Sequence, residues 1–150
     1  ITEMITGVDL VKLGIRVAAG ESLPLSQEEI KFSGHAIQCR LNAEDPINFV
    51  PSPGKLWDCH FPGGRGVRVD THAHIGYEMP GCFDSLLAKL IVWGQNRDEA
   101  IAKMKAALVE TTLIGVETVI PLHRAILDEP DFIARDVTIQ YLENHPNLLG

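Results

Sequence analysis

Residues 33–42 read Ser-Gly-His-Ala-Ile-Gln-Cys-Arg-Leu-Asn, and their period decides the fold. His35, Ile37, Cys39 and Leu41 alternate with Ala36, Gln38, Arg40 and Asn42. Successive side chains of a strand point to opposite faces, so this spacing predicts a strand with one buried and one largely polar face. Arg40 lies on the polar face between Gln38 and Asn42. Before this stretch the period is helical. Val8, Val11, Ile15 and Ala18 recur at intervals of three and four, as do Leu10, Leu13 and Val17, with Gly20 and Pro24 as stops. That predicts an amphipathic helix with a broad apolar face, with Thr6 followed by Asp9 as its N-cap and acidic first turn.

After the strand, Pro46 to Gly54 holds three prolines and must be a turn or extended loop. Lys55–Phe61 reads as a strand, Pro62-Gly63-Gly64-Arg65-Gly66 as a turn, and Val67–Thr71 as the return strand of a hairpin. Leu86–Trp93 is an apolar run of strand length. Asn96, with Glu99 three residues on, opens a second helix whose stripe is Ile101, Met104 and Leu108. Thr118–Leu127 and Thr138–Glu143 are shorter helix candidates. Strands and helices are segregated, not alternating. The fold class expected is therefore α+β, a mostly antiparallel sheet with flanking helices, in one domain spanning residues 1–150.

Composition excludes several function classes. Apolar residues make up 45% of the 150 and charged residues 22%, values that argue against disorder. Thirteen Lys and Arg against 20 Asp and Glu give a net charge of -7, with no basic excess to neutralise nucleic-acid phosphates. No stretch approaches the ~20 apolar residues a membrane helix requires. The start, at Ile1, has no signal-peptide pattern and no initiator Met, which reads as a piece of a longer protein. Cys39, Cys59 and Cys82 form no CxxC, and reduced thiols in a cytoplasmic protein are the simplest reading.

Few residues advertise chemistry. The Pro62–Gly66 stretch is glycine-rich, but a strand pattern follows it, not the helix a phosphate loop needs. His72 and His74 share a face of an extended segment and have no third metal ligand in register, so loop histidines are the reading and no metal site is expected. Asp84, ahead of the apolar strand, either caps a turn or orients a cation such as Arg40. Arg40 itself is either a surface charge or a rigidly mounted oxyanion donor.

Longer words in the sequence resemble a known family. They are residues 2–10 (Thr-Glu-Met-Ile-Thr-Gly-Val-Asp-Leu), residues 34–46 (Gly-His-Ala-Ile-Gln-Cys-Arg-Leu-Asn-Ala-Glu-Asp-Pro), Pro51-Ser52-Pro53-Gly54-Lys55 and Gly66-Val67-Arg68. Residues 84–90 (Asp-Ser-Leu-Leu-Ala-Lys-Leu) and 96–101 (Asn-Arg-Asp-Glu-Ala-Ile) complete the set. Together they resemble the C-terminal region of biotin carboxylase. The resemblance implies a mixed α+β domain packed on an ATP-grasp core, and an activity in which ATP, Mg2+ and bicarbonate carboxylate biotin on a biotin carboxyl carrier protein, as in acetyl-CoA carboxylase. It implies further partners, a second copy of the parent in a homodimer and a carboxyltransferase that chooses the acyl acceptor. By the same resemblance Arg40 is the catalytic arginine that stabilises the biotin enolate oxygen, and Asp84 is a site-orienting acid. Arg68 and Arg65 fall at the dimer interface, and Ile139 on the adenine side of ATP. Two departures stand out: Arg65 replaces an aromatic, and Cys82-Phe83 replaces a more usual aromatic pair. The family's phosphate, magnesium and bicarbonate ligands precede the words matched here, so the chain alone is expected to be inactive. The rival expectation is a non-catalytic domain that only scaffolds and dimerises an ATP-grasp partner.

Overall fold

A computed structural model describes residues 1–149. In chain order the elements are α1 (Thr2–Thr6), α2 (Leu10–Ala18), β1 (His35–Asn42), β2 (Gly54–Lys55), β3 (Asp58–His60), β4 (Val67–Thr71) and β5 (Glu78–Met79). They continue with β6 (Leu86–Gly94), α3 (Arg97–Glu110), β7 (Thr112–Ile114), α4 (Ile120–Asp128), α5 (Pro130–Ala134) and α6 (Tyr141–Asn144). A three-stranded sheet in the order β1-β6-β4 is the frame, with β2-β5 and β3-β7 as separate two-stranded pairs. All these pairings are antiparallel, so the α+β class expected from segregated strands and helices is the one observed.

The alternation of β1 is realised residue by residue. Ile37, Cys39 and Leu41 pair with Val92, Leu90 and Ala88, and Val67 and Val69 of β4 pair with the same Val92 and Leu90. These rows form the inner face of the sheet, which packs on Ala100, Ile101, Met104, Ala107 and Leu108 of α3. The opposite rows, Gln38–Ile91–Arg68 and Arg40–Lys89–Asp70, form the outer face. β6 lacks alternation because it is central. Even Ile91 on its outer face is only 3% exposed, and it lines a small cavity with Ile1, Leu10 and Val11. α1 is held over that face by an ion pair from Glu3 to Arg68 and by the Ile5 carbonyl, which accepts from Ser33 N at 2.7 Å.

The hairpin expected between Lys55–Phe61 and Val67–Thr71 does not form. Lys55–Phe61 is split, with β2 on β5 and β3 on β7, while β4 pairs with β6. The turn explains this. Gly66 adopts φ +80°, and its carbonyl accepts from Trp93 N at 2.7 Å, delivering β4 to the long central strand. A Cβ on Gly66 would lie 2.6 Å from the Trp93 carbonyl oxygen, so the close approach needs glycine.

Asp9, not Thr6, caps α2, its carboxylate accepting from Lys12 N at 2.8 Å, and Thr6 instead closes α1. The apolar face of α2 exists, but it lies open, with Val11 and Ile15 each more than 60% exposed. For α3, Asn96 Oδ1 accepts from Glu99 N at 3.0 Å. Glu99 reaches back to Gln95 N at 2.7 Å, one residue earlier than a capping box would require. α1, β5, β7 and α5 are additions to the expected elements. Among the described residues no helix is long and apolar enough to cross a membrane. The three cysteines are free, and burial pushes the Cys39 thiol up to about 12.

Candidate functional site

The outer face of the sheet carries a row of charge. Lys89 sits opposite both Arg40 and Asp70 in register, with its Nζ 4.0 Å from Asp70 Oδ2. Asp70 receives two bonds from Arg68, Nε to Oδ1 at 2.8 Å and Nη2 to Oδ2 at 3.1 Å, and the remaining Arg68 Nη1 donates to Glu3. These bonds hold the Glu3 and Asp70 carboxyls below the ordinary range and raise the Arg68 guanidinium further, through Asp70 first and Glu3 second. The charge on this side of the row is internally matched.

Arg40, on the edge strand, stands apart. Its side chain is half exposed, and its one ionic neighbour among the described residues is Asp84, 3.6 Å from Nη2. Asp84 Oδ1 also accepts from Leu86 N at 2.8 Å. The carboxylate therefore performs both tasks left open by the sequence: it closes the turn into β6 and it faces the guanidinium.

Two residues overlooked in the sequence hold this pair. Glu44 accepts from Asn42 Nδ2 at 3.0 Å and from the buried Ser85 hydroxyl. With the bond from Ala43 N to the Ser85 carbonyl at 2.8 Å, it staples the Asp84-Ser85 turn to the end of β1. His123, on α4, donates from Nε2 to the Arg40 carbonyl at 2.8 Å. The sequence signal for Glu44 was its place in the Asn42–Asp45 word. His123 offered none, being one histidine on an amphipathic helix.

The other sequence candidates are dispersed. Arg68 is on the outer face, while Arg65 is exposed in the Pro62–Gly66 turn and lines a groove with Lys103 and Glu110 of α3. Ile139, between α5 and α6, is 97% exposed. His72 and His74 both set their rings edge-on to Tyr77, at 5.0 and 5.8 Å between centroids. His72 Nε2 lies 3.2 Å from the Tyr77 hydroxyl. Among the described residues no three His, Cys, Asp or Glu side chains are grouped to hold a metal ion.

Two histidines should titrate in opposite directions. Burial pushes His123 below its ordinary value, partly offset by the bond to the Arg40 carbonyl. His145 is raised, first by its bond to the Tyr141 carbonyl and then by Asp131. By linkage, the stability tied to neutral His123 is complete above about pH 6.5 and lost as pH falls through its folded value. That tied to charged His145 is complete below about pH 6.5 and lost as pH rises through its folded value. An NMR titration should place the two midpoints on opposite sides of about 6.5; the reverse order would contradict the two environments.

The biotin carboxylase C-terminal domain family matches residues 38–144. The chain belongs to that family. The domain is 52% identical over 143 residues to biotin carboxylase of Haemophilus influenzae, covering 95% of this chain and 32% of that protein. Among solved structures it superimposes on the biotin carboxylase domain dimer of Hydrogenobacter thermophilus 2-oxoglutarate carboxylase, bound to MgADP, ADP and bicarbonate. There the TM-score is 0.96 and the identity 48%, over 100% of this chain and 33% of that one. The biotin carboxylase component of a pyruvate carboxylase superimposes with a TM-score of 0.95 at 48% identity, over 99% of this chain and 33% of that one. The chain thus spans about a third of the length of each of these three relatives.

Proposed function

We propose that this chain is the C-terminal domain of a biotin carboxylase and brings to its active site the arginine that stabilises charge on biotin. One observation carries the reading: Arg40 is mounted mid-strand, with Asp84 at one corner of its guanidinium 3.6 Å away and its other N–H groups without a side-chain partner among the described residues. That donor set fits an oxygen that becomes anionic. Biotin supplies a ureido nitrogen as nucleophile, and losing its proton moves negative charge to the ureido oxygen. Arg40 then binds the charged oxygen more tightly than the neutral one, which lowers the barrier to carboxylation. Asp84 orients the fork, and Glu44, through Ser85, fixes the turn that carries Asp84. A planar, permanently charged group on a strand suits this task, because its direction is set before the charge appears.

The ligands of Mg2+, of the ATP phosphates and of bicarbonate are assigned, on the resemblance to the family, to the ATP-grasp part of the carboxylase; among the described residues no three His, Cys, Asp or Glu side chains are grouped to hold a metal ion. Ile139 is proposed as the domain's contact with the adenine, which would give its bare side chain an apolar cover. Arg65 and Arg68 are proposed to border the dimer contact, with Arg68 made rigid by Glu3 and Asp70. Biotin carboxyl carrier protein and a carboxyltransferase are the further partners in this reading, the compartment is the cytoplasm, and residues 1–150 act as one unit. The pyruvate and 2-oxoglutarate carboxylases named above differ in acceptor at equal identity to this chain, which supports leaving acceptor choice to the carboxyltransferase.

The test uses labelled bicarbonate. The carboxylase that carries this domain should transfer label to biotin in the presence of ATP and magnesium. The 150-residue chain alone should transfer none and release no phosphate from ATP. Bicarbonate-dependent ATP turnover by the purified chain, above a no-protein control, would refute the division of labour.

A further inference from the structure

We propose that His123 is a positioning residue for Arg40, fixing the strand edge from which the guanidinium projects; the inference rests on the role given to Arg40 above. Among the described residues β1 is an edge strand, with β6 on one side only. The carbonyls of Arg40 and Asn42, two residues apart, both point away from β6 toward α4. Asn42 O accepts from Val119 N at 3.3 Å, and Arg40 O accepts from His123 Nε2 at 2.8 Å. An edge carbonyl is ordinarily left to water. Here the side chain that takes it comes from 83 residues away in sequence and closes the ladder at the residue that matters.

The donor is itself well seated. Val119, the N-cap of α4, is buried, as are Leu122 and Leu127 on the helix. Those apolar contacts dock α4, and the donor of the imidazole is directed at one main-chain atom. A neutral imidazole has a single N–H, so an acceptor at Nε2 fixes the Nε2–H tautomer. Any twist of β1 at Arg40 is magnified along the side chain, and a displacement of about 1 Å at a reacting group can cost about 10²-fold in rate. Arg40 holds its direction from the backbone outward through His123 and from its tip inward through Asp84.

The experiment is steady-state kinetics of the full carboxylase carrying His123→Leu or His123→Gln, each alone and combined with Arg40→Gln. Leucine keeps bulk and removes the donor; glutamine keeps an N–H of similar reach. His123→Leu should lower kcat for biotin carboxylation by roughly tenfold to a hundredfold and leave KM for ATP unchanged within about twofold. His123→Gln should restore most of the rate. In the Arg40→Gln background His123→Leu should cost nothing further, because there is no guanidinium left to aim. An equal loss in both backgrounds would overturn the inference in favour of a structural role. A normal rate for His123→Leu beside a slow Arg40→Gln would overturn it while leaving Arg40 standing. A normal rate for Arg40→Gln would instead remove the reading on which it rests. If the leucine variant does not fold, nitrogen-15 NMR of the unsubstituted enzyme decides: a slowly exchanging Nε2–H proton is expected, and an Nδ1–H tautomer contradicts the proposal.

Discussion

Arg40→Gln in the carboxylase that carries this domain is expected to lower biotin carboxylation by about 10²–10³, the usual cost of removing one donor to a developing oxyanion. Glutamine keeps length and polarity but loses the charge and the fork. The loss should fall on the rate of carboxylation, since the donor meets its full partner only as charge develops. KM for ATP should hold, because Arg40 is given no part in nucleotide binding. Arg40→Lys should recover part of the rate, since an ammonium supplies charge without two fixed, parallel donors. The surroundings make the substitution informative. Asp84, 3.6 Å away, stays anchored by Leu86 N, and Glu44 holds the turn by bonds that do not involve the Arg40 side chain. A near-normal rate would leave the domain as scaffold alone.

The second large effect is on stability. Leu90 lies at the centre of β6, fully buried, between Cys39 of β1 and Val69 of β4 and against α3. Leu90→Ala removes three carbons from a place where strands on both sides prevent collapse. Unfolding free energy should fall by about 3 kcal/mol or more, the range for buried leucines that leave a cavity. Urea denaturation should show a lower midpoint at unchanged slope. A loss under about 1 kcal/mol would mean that the inner face repacks, contrary to the tight register of β1, β6 and β4. Because Lys89 adjoins Leu90 on β6 and faces Arg40, this packing also sets the level of the outer charged row.

What the sequence made legible follows from how local each signal is. The alternation of Ile37, Cys39 and Leu41 placed Arg40 on the outer face because a sheet with one packed side writes its pattern into the strand. The apolar run of β6 marked a strand for the complementary reason, burial on both faces, and the structure makes it the central one. Strand partners were a different matter. Phe61 and Val67 are close in sequence and separated by a turn, yet β3 pairs with β7 and β4 with β6, pairings fixed by residues far along the chain. The period of α2 revealed an apolar face but could not say what covers it. The role proposed for Arg40 came from resemblance, not from spacing. Glu44 and His123 escaped because a side chain bonding to a turn or a carbonyl leaves no period behind.

The assignment of Arg40 as the charge-stabilising arginine of a biotin carboxylase is tested most directly in a chimera. The corresponding C-terminal third of the Haemophilus influenzae enzyme is replaced with this chain, and label transfer from bicarbonate to biotin is measured with and without Arg40→Gln. The expected result is an active, ATP-dependent chimera that loses about 10²–10³ of its carboxylation rate on the substitution. An active chimera whose rate is indifferent to Arg40→Gln would contradict the assignment.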